Sequence, residues 1–125
     1  MEYLQEIDSA IVEETKVLDY LLALEHPVGG PKARFFLNRG FSREKWKSFA
    51  AALLTHARAN RIANYRTDTW GTRFTVDCSI VTPDDTNPCI RVVWQVTPED
   101  PAPRLITAHP VGQIKNDVDS LKHYL

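Results

Sequence analysis

The fold is decided by the stretch Thr72-Arg-Phe-Thr-Val-Asp-Cys-Ser-Ile-Val81. Apolar and polar residues alternate along it. One side carries Phe74, Val76, Cys78 and Ile80, and the other side carries Arg73, Thr75, Asp77 and Ser79. A period of two residues is typical of a strand with one buried face. The sequence therefore predicts a β-strand over 72–81 with one side packed on a core.

Three more strands are predicted around this one. They span 62–67, 89–96 and 104–109, and the second is apolar on nearly both faces, which predicts a central position in the sheet. A turn over 82–88 joins two of them, and the proline-rich segment 97–103 is predicted to be a loop.

Helices are predicted in the first half of the chain. Apolar residues at three- and four-residue spacing favour a helix over 13–24. A second helix begins at Pro31 and stops at Gly40, and a third runs from an N-cap at Ser42 to about residue 60. A short helix is expected within 115–124. In the third helix, His56 is expected on the solvent-exposed surface.

Helices followed by strands indicate an α+β fold, with N-terminal helices packed on one face of a four-stranded, mainly antiparallel β-sheet. The 125 residues fit one domain, 1–125, made of a helical part (12–60), a β-meander (61–110) and a short tail (111–125).

The charge is unevenly distributed in a chain of net charge −1. Residues 26–73 hold ten bases and two acids, whereas residues 1–25 hold seven acids and one base. A basic block of this kind suggests a surface for an anion such as phosphate, and Arg34 and Arg73 within it are predicted substrate-binding residues. The alternative is a solvated helical face neutralised by the acidic N-terminus.

Other classes of protein are disfavoured by the composition. No apolar run is long enough to span a bilayer, and the N-terminus lacks the features of a signal peptide, so a cytoplasmic protein is expected. Cys78 and Cys89 are expected to be packed thiols, although they lie on adjacent predicted strands and could come close together. No metal site, nucleotide-binding loop or other cofactor motif is present, so no cofactor is predicted.

Three groups of residues could carry chemistry. His26 and Lys32 flank a Gly-Gly-Pro turn at a helix start, where backbone N–H groups can bind an anion and His26 can act as a general acid or base. Arg91 on the central strand must either pair with an acid such as Asp77 or face an anionic ligand. Thr107 and His109 project on one side at the end of the last strand. Each group has a structural alternative: a capped turn, an ion pair, and ordinary polar groups at a sheet edge.

Trp94 lies on the same strand as Arg91, on the opposite side. Its ring is either a stacking platform for a base, which would make Trp94 a substrate-binding residue, or part of the core.

The chain resembles bacterial domain-of-unknown-function family 6883. The resemblance is carried by the stretch LLALEHPVGGPKARFFLNRGF (21–41), by VVWQV (92–96) and by PRLITAHP (103–110), and covers about Val12 to Pro110. The closing strand is also distantly similar to that of bacterial ribonuclease toxins of the barnase, EndoU, colicin D and RelE type. In those proteins N-terminal helices pack on a four-stranded antiparallel sheet.

The resemblance implies a metal-independent ribonuclease that acts on RNA through a basic cleft. His26 and Lys32 match the helix-start motif and Thr107 matches the closing strand, whereas His109 stands where the family more often has tyrosine. The implied catalytic residues are His26, Lys32, Arg91, Thr107 and His109. A cognate antitoxin or immunity protein would be the partner. The alternative is a non-catalytic module that binds a protein or nucleic acid, as a monomer or homodimer.

Overall fold

An antiparallel sheet of four strands forms one layer of the fold. In the computed structural model, which describes residues 2–111, the strands are β1 (Ile62–Asp68), β2 (Gly71–Ser79), β3 (Cys89–Thr97) and β4 (Asp100–Pro110). They lie in the order β1-β2-β3-β4, so each strand pairs with the next along the chain. The predicted central position of β3 is confirmed, since it pairs with β2 on one side and β4 on the other.

The register of the sheet separates a covered face from an open face. Val76, Val92 and Ala108 lie side by side on β2, β3 and β4 and are fully buried. The neighbouring row on the open face is polar and contains Asp77, Arg91 and His109. Directly opposed residues of antiparallel strands share a face, so chemistry carried by the sheet is presented on the open side.

Helices cover the other face of the sheet. A single α-helical turn, α1 (Glu14–Lys16), continues into a π-helical turn (Val17–Leu21), and α2 (Gly30–Asn38) and α3 (Trp46–Ala59) follow. The predicted α+β architecture is confirmed. The first helix ends earlier than predicted, because the backbone leaves the helical region at Leu22 (φ −119°, ψ 21°). The Arg43 guanidinium donates a hydrogen bond of 3.1 Å to the Leu22 carbonyl.

The core lies between the helices and the sheet. Phe36 of α2 and Phe49 of α3 are fully buried, with ring centroids 4.8 Å apart, and Trp94 of β3 is equally buried. Burying a large apolar side chain contributes about 1.5–3 kcal/mol. This packing fixes α2 relative to β3 and therefore positions the side chains that α2 carries.

Residues 2–11, here called the N-terminal segment, reach both edges of the sheet. The Ile62 amide of β1 donates to the Glu2 carbonyl at 2.8 Å. At the other edge, the Ile11 amide donates to the Pro103 carbonyl (2.7 Å) and the Leu105 amide donates to the Ile11 carbonyl (3.0 Å). The N-terminal segment therefore supplies backbone partners for the outer sides of both β1 and β4.

Two further details of the sequence prediction are wrong. Residues 100–103 belong to β4 rather than to a loop, and the strand accepts Pro101 and Pro103 because it is an edge strand. Cys78 is exposed rather than directed into the core, and its φ of 126° breaks the regular strand geometry. The helix predicted within 115–124 lies outside the described residues. Within 2–111, no helix has the length and hydropathy needed to cross a bilayer.

Candidate active site

Three polar side chains from separate elements meet in one hydrogen-bonded cluster. Tyr20 comes from the π-helical turn, Lys32 from α2 and Thr107 from β4. The Lys32 ammonium donates to the Tyr20 hydroxyl and to Thr107 Oγ1, the latter at 3.0 Å, and the two hydroxyls are 3.0 Å apart. This set, Tyr20, Lys32 and Thr107, is called the polar cluster below. It combines a charge with two hydroxyls, which is an arrangement able to bind and polarise a phosphate oxygen.

An irregularity in β4 gives Thr107 its position. Val93 pairs with Thr107 and Trp94 pairs with Leu105, so Ile106 is an additional residue in β4. A bulge of this kind bends a strand and redirects its side chains, and it is common at sheet edges and next to active sites. Here it lets Leu105 and Ala108 both remain buried while Thr107 meets side chains from the helical layer.

His26 closes the turn that leads into α2. Its Nδ1 accepts hydrogen bonds from the Val28 amide (3.0 Å) and the Gly29 amide (2.8 Å). This assigns the proton of the neutral ring to Nε2, so the free side of the ring is a hydrogen-bond donor. The ring lies edge-on to Tyr20, with centroids 5.0 Å apart. The two amides that were expected to bind an anion therefore donate to His26 instead. The Nε2–H of His26 can donate to an anion in their place.

Gly29 allows this turn to lie against Tyr20. A Cβ at position 29 would lie 2.2 Å from the Tyr20 carbonyl oxygen and 2.8 Å from its ring carbon Cδ1. The φ of Gly29 is −77°, an ordinary value for any residue. Glycine is therefore required here for close approach and not for an unusual backbone angle.

The environment lowers the pKa of Tyr20. Burial alone would raise it, but hydrogen bonds from Lys32 and Thr107 and the positive charges of Lys32 and Lys16 outweigh that effect. Lys32 and Lys16 both lie over the face of the ring, with Nζ 4.8 and 5.4 Å from its centroid. The phenol consequently holds its proton less tightly than an ordinary tyrosine, which suits a proton donor.

His109 and Arg91 lie on the open face beside the polar cluster. Burial lowers the pKa of His109 below the usual 6.5, and the charges of Lys32 and Arg91 lower it further, against the opposing effects of the Pro110 carbonyl and Asp77. The imidazole is therefore neutral near pH 7 and able to accept a proton.

Arg91 forms the ion pair that was one of its two predicted alternatives. Its Nε and one terminal nitrogen each donate to a different oxygen of Asp77, both at 2.9 Å. The hydrogen bonds with Asp77 raise the pKa of Arg91. A guanidinium has five N–H donors, so this pairing leaves three for another ligand and fixes the direction in which they point.

An open pocket of about 690 Å³ adjoins the polar cluster. It is lined by Glu13, Thr15, Lys16, Asp19, Tyr20, His26, Ile106 and Thr107. Lys16, Tyr20 and Asp19 were not among the predicted site residues. A signal for Tyr20 was present, because Tyr20 directly precedes the stretch 21–41 that carries the family resemblance.

The three predicted substrate-binding residues have different environments. Arg34 is exposed but lies two residues from Lys32 on α2, a spacing that places the two side chains on different sides of a helix. Arg73 is exposed on the open face of the sheet. Trp94 is fully buried. The alternative that Trp94 belongs to the core is therefore confirmed, and a substrate cannot reach its ring.

His56 was expected on the surface of α3, and this prediction is wrong. The side chain is 1% exposed, and its Nε2 lies 2.9 Å from the Cys78 carbonyl oxygen. Burial lowers its pKa, against the opposing effects of nearby backbone carbonyls and Asp77. His56 thus helps to hold α3 on β2.

A family model matches residues 3–112 and is described as a domain of unknown function, DUF6883. Among curated proteins, no significant match is found. A similar solved structure is one chain of a contact-dependent growth inhibition toxin–immunity protein complex from Klebsiella pneumoniae 342. The TM-score is 0.66 at 15% sequence identity, with 81% of this chain and 99% of that chain covered. At this identity the likeness shows a shared fold.

Proposed function

Since this chain belongs to the DUF6883 family of domains of unknown function, we propose a function from its own residues: a metal-independent endoribonuclease of bacterial toxin type. The observation that carries the proposal is the hydrogen-bonded convergence of Tyr20, Lys32 and Thr107 from three elements. Thr107 is separated by 87 residues from Tyr20 and by 75 from Lys32. His26 touches this cluster through Tyr20, and His109 lies within reach of the Lys32 charge.

The proposed reaction is an attack by the RNA 2′-hydroxyl on the adjacent phosphate. His109, neutral near pH 7, accepts the 2′-hydroxyl proton as the bond from O2′ to phosphorus forms. The bond from phosphorus to O5′ breaks, and the Tyr20 hydroxyl gives its proton to the leaving oxygen. The products are a 2′,3′-cyclic phosphate and a free 5′-hydroxyl. Transfer of the proton from His109 through solvent to Tyr20 restores both groups.

The remaining residues would stabilise charge and position the phosphate. Lys32 donates hydrogen bonds to both hydroxyls of the polar cluster. It would bind a non-bridging phosphate oxygen as negative charge accumulates. Arg91 would direct its free donors at the same phosphate, held in place by Asp77. Thr107 and the Nε2–H of His26 would fix the orientation of the scissile bond.

The proposal is tested by incubating the purified chain with total bacterial RNA and with tRNA in EDTA. Lys32→Met, Tyr20→Phe and His109→Gln should each lower the cleavage rate by about 10²-fold or more, the usual size of an acid–base or charge-stabilising contribution. Lys47→Gln, which removes a charge from α3 outside the site, is the matched control. Cleavage that survives in all three site variants would overturn the assignment.

A non-catalytic role is the second candidate, as one partner in a complex of two proteins. It is favoured by the likeness to a chain of a toxin–immunity complex and by a second pocket of about 730 Å³, remote from the polar cluster. The apolar part of that pocket includes Tyr65, Phe74 and Val96 of the sheet and Leu4 of the N-terminal segment. Absence of RNA cleavage, together with a stable complex formed by a protein encoded beside this one, would favour this role.

A further inference from the structure

Arginines from neighbouring strands lie side by side on the open face of the sheet. Arg66 of β1 is directly opposite Arg73 of β2, which is in turn opposite Gln95 of β3 and, beyond it, Arg104 of β4. The adjacent row, Tyr65 and Phe74, lies on the covered side, where the two rings are 6.1 Å apart. Since successive residues of a strand alternate in direction, Arg66 and Arg73 share the face that carries Thr107 and His109.

Among the described residues, Arg66 and Arg73 differ from Arg104 in their ion pairing. Arg104, in the same row, forms an ion pair with Glu13 at 3.0 Å. Within residues 2–111, Arg66 and Arg73 have no acid within ion-pair distance. Asp68, two residues along β1, instead accepts a hydrogen bond from the Trp70 amide. Like charges directly opposite on paired strands destabilise a sheet, so this arrangement weakens the fold unless an anion binds it.

The arginine pair lies close enough to the polar cluster to contact the same extended ligand. Strands are about 4.8 Å apart and residues rise about 3.3 Å along them, so two strands and two residues separate Thr107 from Arg73 by about 12 Å. Arg66 lies one strand further, at about 16 Å by the same spacing. A flexible polyanion bound at Thr107 would therefore reach both arginines within a few of its units.

An exposed aromatic residue lies at the end of the sheet that carries Arg66 and Arg73. Trp70, in the turn between β1 and β2, is 75% exposed. Proteins that bind single-stranded nucleic acid combine basic grooves that follow the backbone with aromatic side chains on which bases stack.

We propose that Arg66 and Arg73 bind the phosphodiester backbone of single-stranded RNA away from the bond that is cut, so that the strand crosses the open face of the sheet. The inference rests on the proposed ribonuclease function for the identity of the ligand. It assigns to the arginine pair a role in holding substrate, separate from the chemistry at Tyr20, Lys32 and His109.

The test measures the binding of a short fluorescein-labelled DNA strand by anisotropy. DNA has the same backbone charge but lacks the 2′-hydroxyl, so the proposed cleavage reaction does not occur on it. The variant is Arg66→Gln with Arg73→Gln. The control is Lys45→Gln with Lys47→Gln, which removes the same charge from exposed positions at and near the start of α3.

The arginine variant should bind about tenfold more weakly at low salt, and its slope of log affinity against log salt should be smaller by about 1.4, or 0.7 for each lost phosphate contact. The control should change neither value. The urea midpoint of the arginine variant should equal or exceed that of the wild type, because the repulsion between Arg66 and Arg73 has been removed. This result excludes misfolding as the cause of the weaker binding.

Three outcomes overturn the inference: equal weakening in both variants, no weakening in the arginine variant, or no binding of the strand by the wild type. The proposed function is judged separately from RNA cleavage. Wild-type protein that binds the strand through the arginines but does not cut RNA would leave this surface assigned and remove the ribonuclease. If the wild type cleaves RNA but the arginine variant binds the strand as tightly as the wild type, the ribonuclease function is retained and the role of the arginine pair is removed.

Discussion

Truncating the ion pair between Asp77 and Arg91 tests whether this pair stabilises the sheet. The variants are Asp77→Ala, Arg91→Ala and the double variant, which form a thermodynamic cycle. Two charge-assisted hydrogen bonds of 2.9 Å join the residues, and their side chains are 22% and 40% exposed. Fully exposed pairs contribute about 0.2–1 kcal/mol, and a hydrogen bond to a charged group contributes about 1.5–3 kcal/mol. The partial exposure places the expected coupling at about 1–2 kcal/mol.

The coupling is measured by urea unfolding of the four proteins. With a slope of about 1–3 kcal/mol per M, a coupling of about 1–2 kcal/mol corresponds to a midpoint difference of about 0.3–2 M that remains after the single effects are added. The intrinsic cost of alanine in a strand cancels within the cycle. The effects of two independent substitutions usually add to within about 0.5 kcal/mol. A coupling below that value would therefore refute the conclusion that the two charges stabilise each other across β2 and β3.

Three further predictions concern the site and the buried histidine. Thr107→Val, which keeps the side-chain shape but removes the hydroxyl shared by Tyr20 and Lys32, should lower RNA cleavage with little change in the urea midpoint, whereas Thr107→Ser should restore most of the rate. Gly29→Ala should destabilise the protein by about 1–3 kcal/mol through overpacking against Tyr20 and should also lower cleavage; unchanged rate and midpoint would show that the turn adjusts freely. His56 has a folded pKa below its unfolded value of about 6.5, so its contribution to stability is present above pH 6.5 and is lost as the pH falls towards the folded pKa. Urea midpoints measured from pH 7.5 to pH 5 should therefore fall less steeply in His56→Gln than in the wild type, and parallel curves would contradict the burial argument.

Strands β2 and β3 could be predicted because β2 leaves a periodic apolar signal and β3 a nearly continuous one. The extension of β4 could not, because proline opposes strand formation except at an edge, and the position of a strand in the sheet is a property of the whole fold. His56 was predictable in principle. It lies seven residues after Phe49 and three after Leu53, and this spacing places it on the buried face of α3.

The candidate site could be predicted only in part. Lys32 and Thr107 were predicted from their places at a helix start and a strand end and also match the family pattern, and the structure brings them into contact. Their common partner Tyr20 was missed, because a tyrosine among leucines has the pattern of a core residue. The bulge at Ile106 places Thr107 on the open face, where Tyr20 and Lys32 contact it. It leaves no mark in the sequence, since it depends on how β3 and β4 align.

The N-terminal segment has a consequence for the order in which the chain folds. Glu2 pairs with Ile62, and Ile11 pairs with Pro103 and Leu105, so partners along the chain are separated by about 60 and 90 residues. Contacts of such long range form slowly, because the intervening chain must lose its entropy before they are made. During synthesis, the N-terminal segment leaves the ribosome before β4 and must wait for that strand to emerge. Although it is made before the rest of this domain, the segment is among the last parts of the domain to be fixed in place.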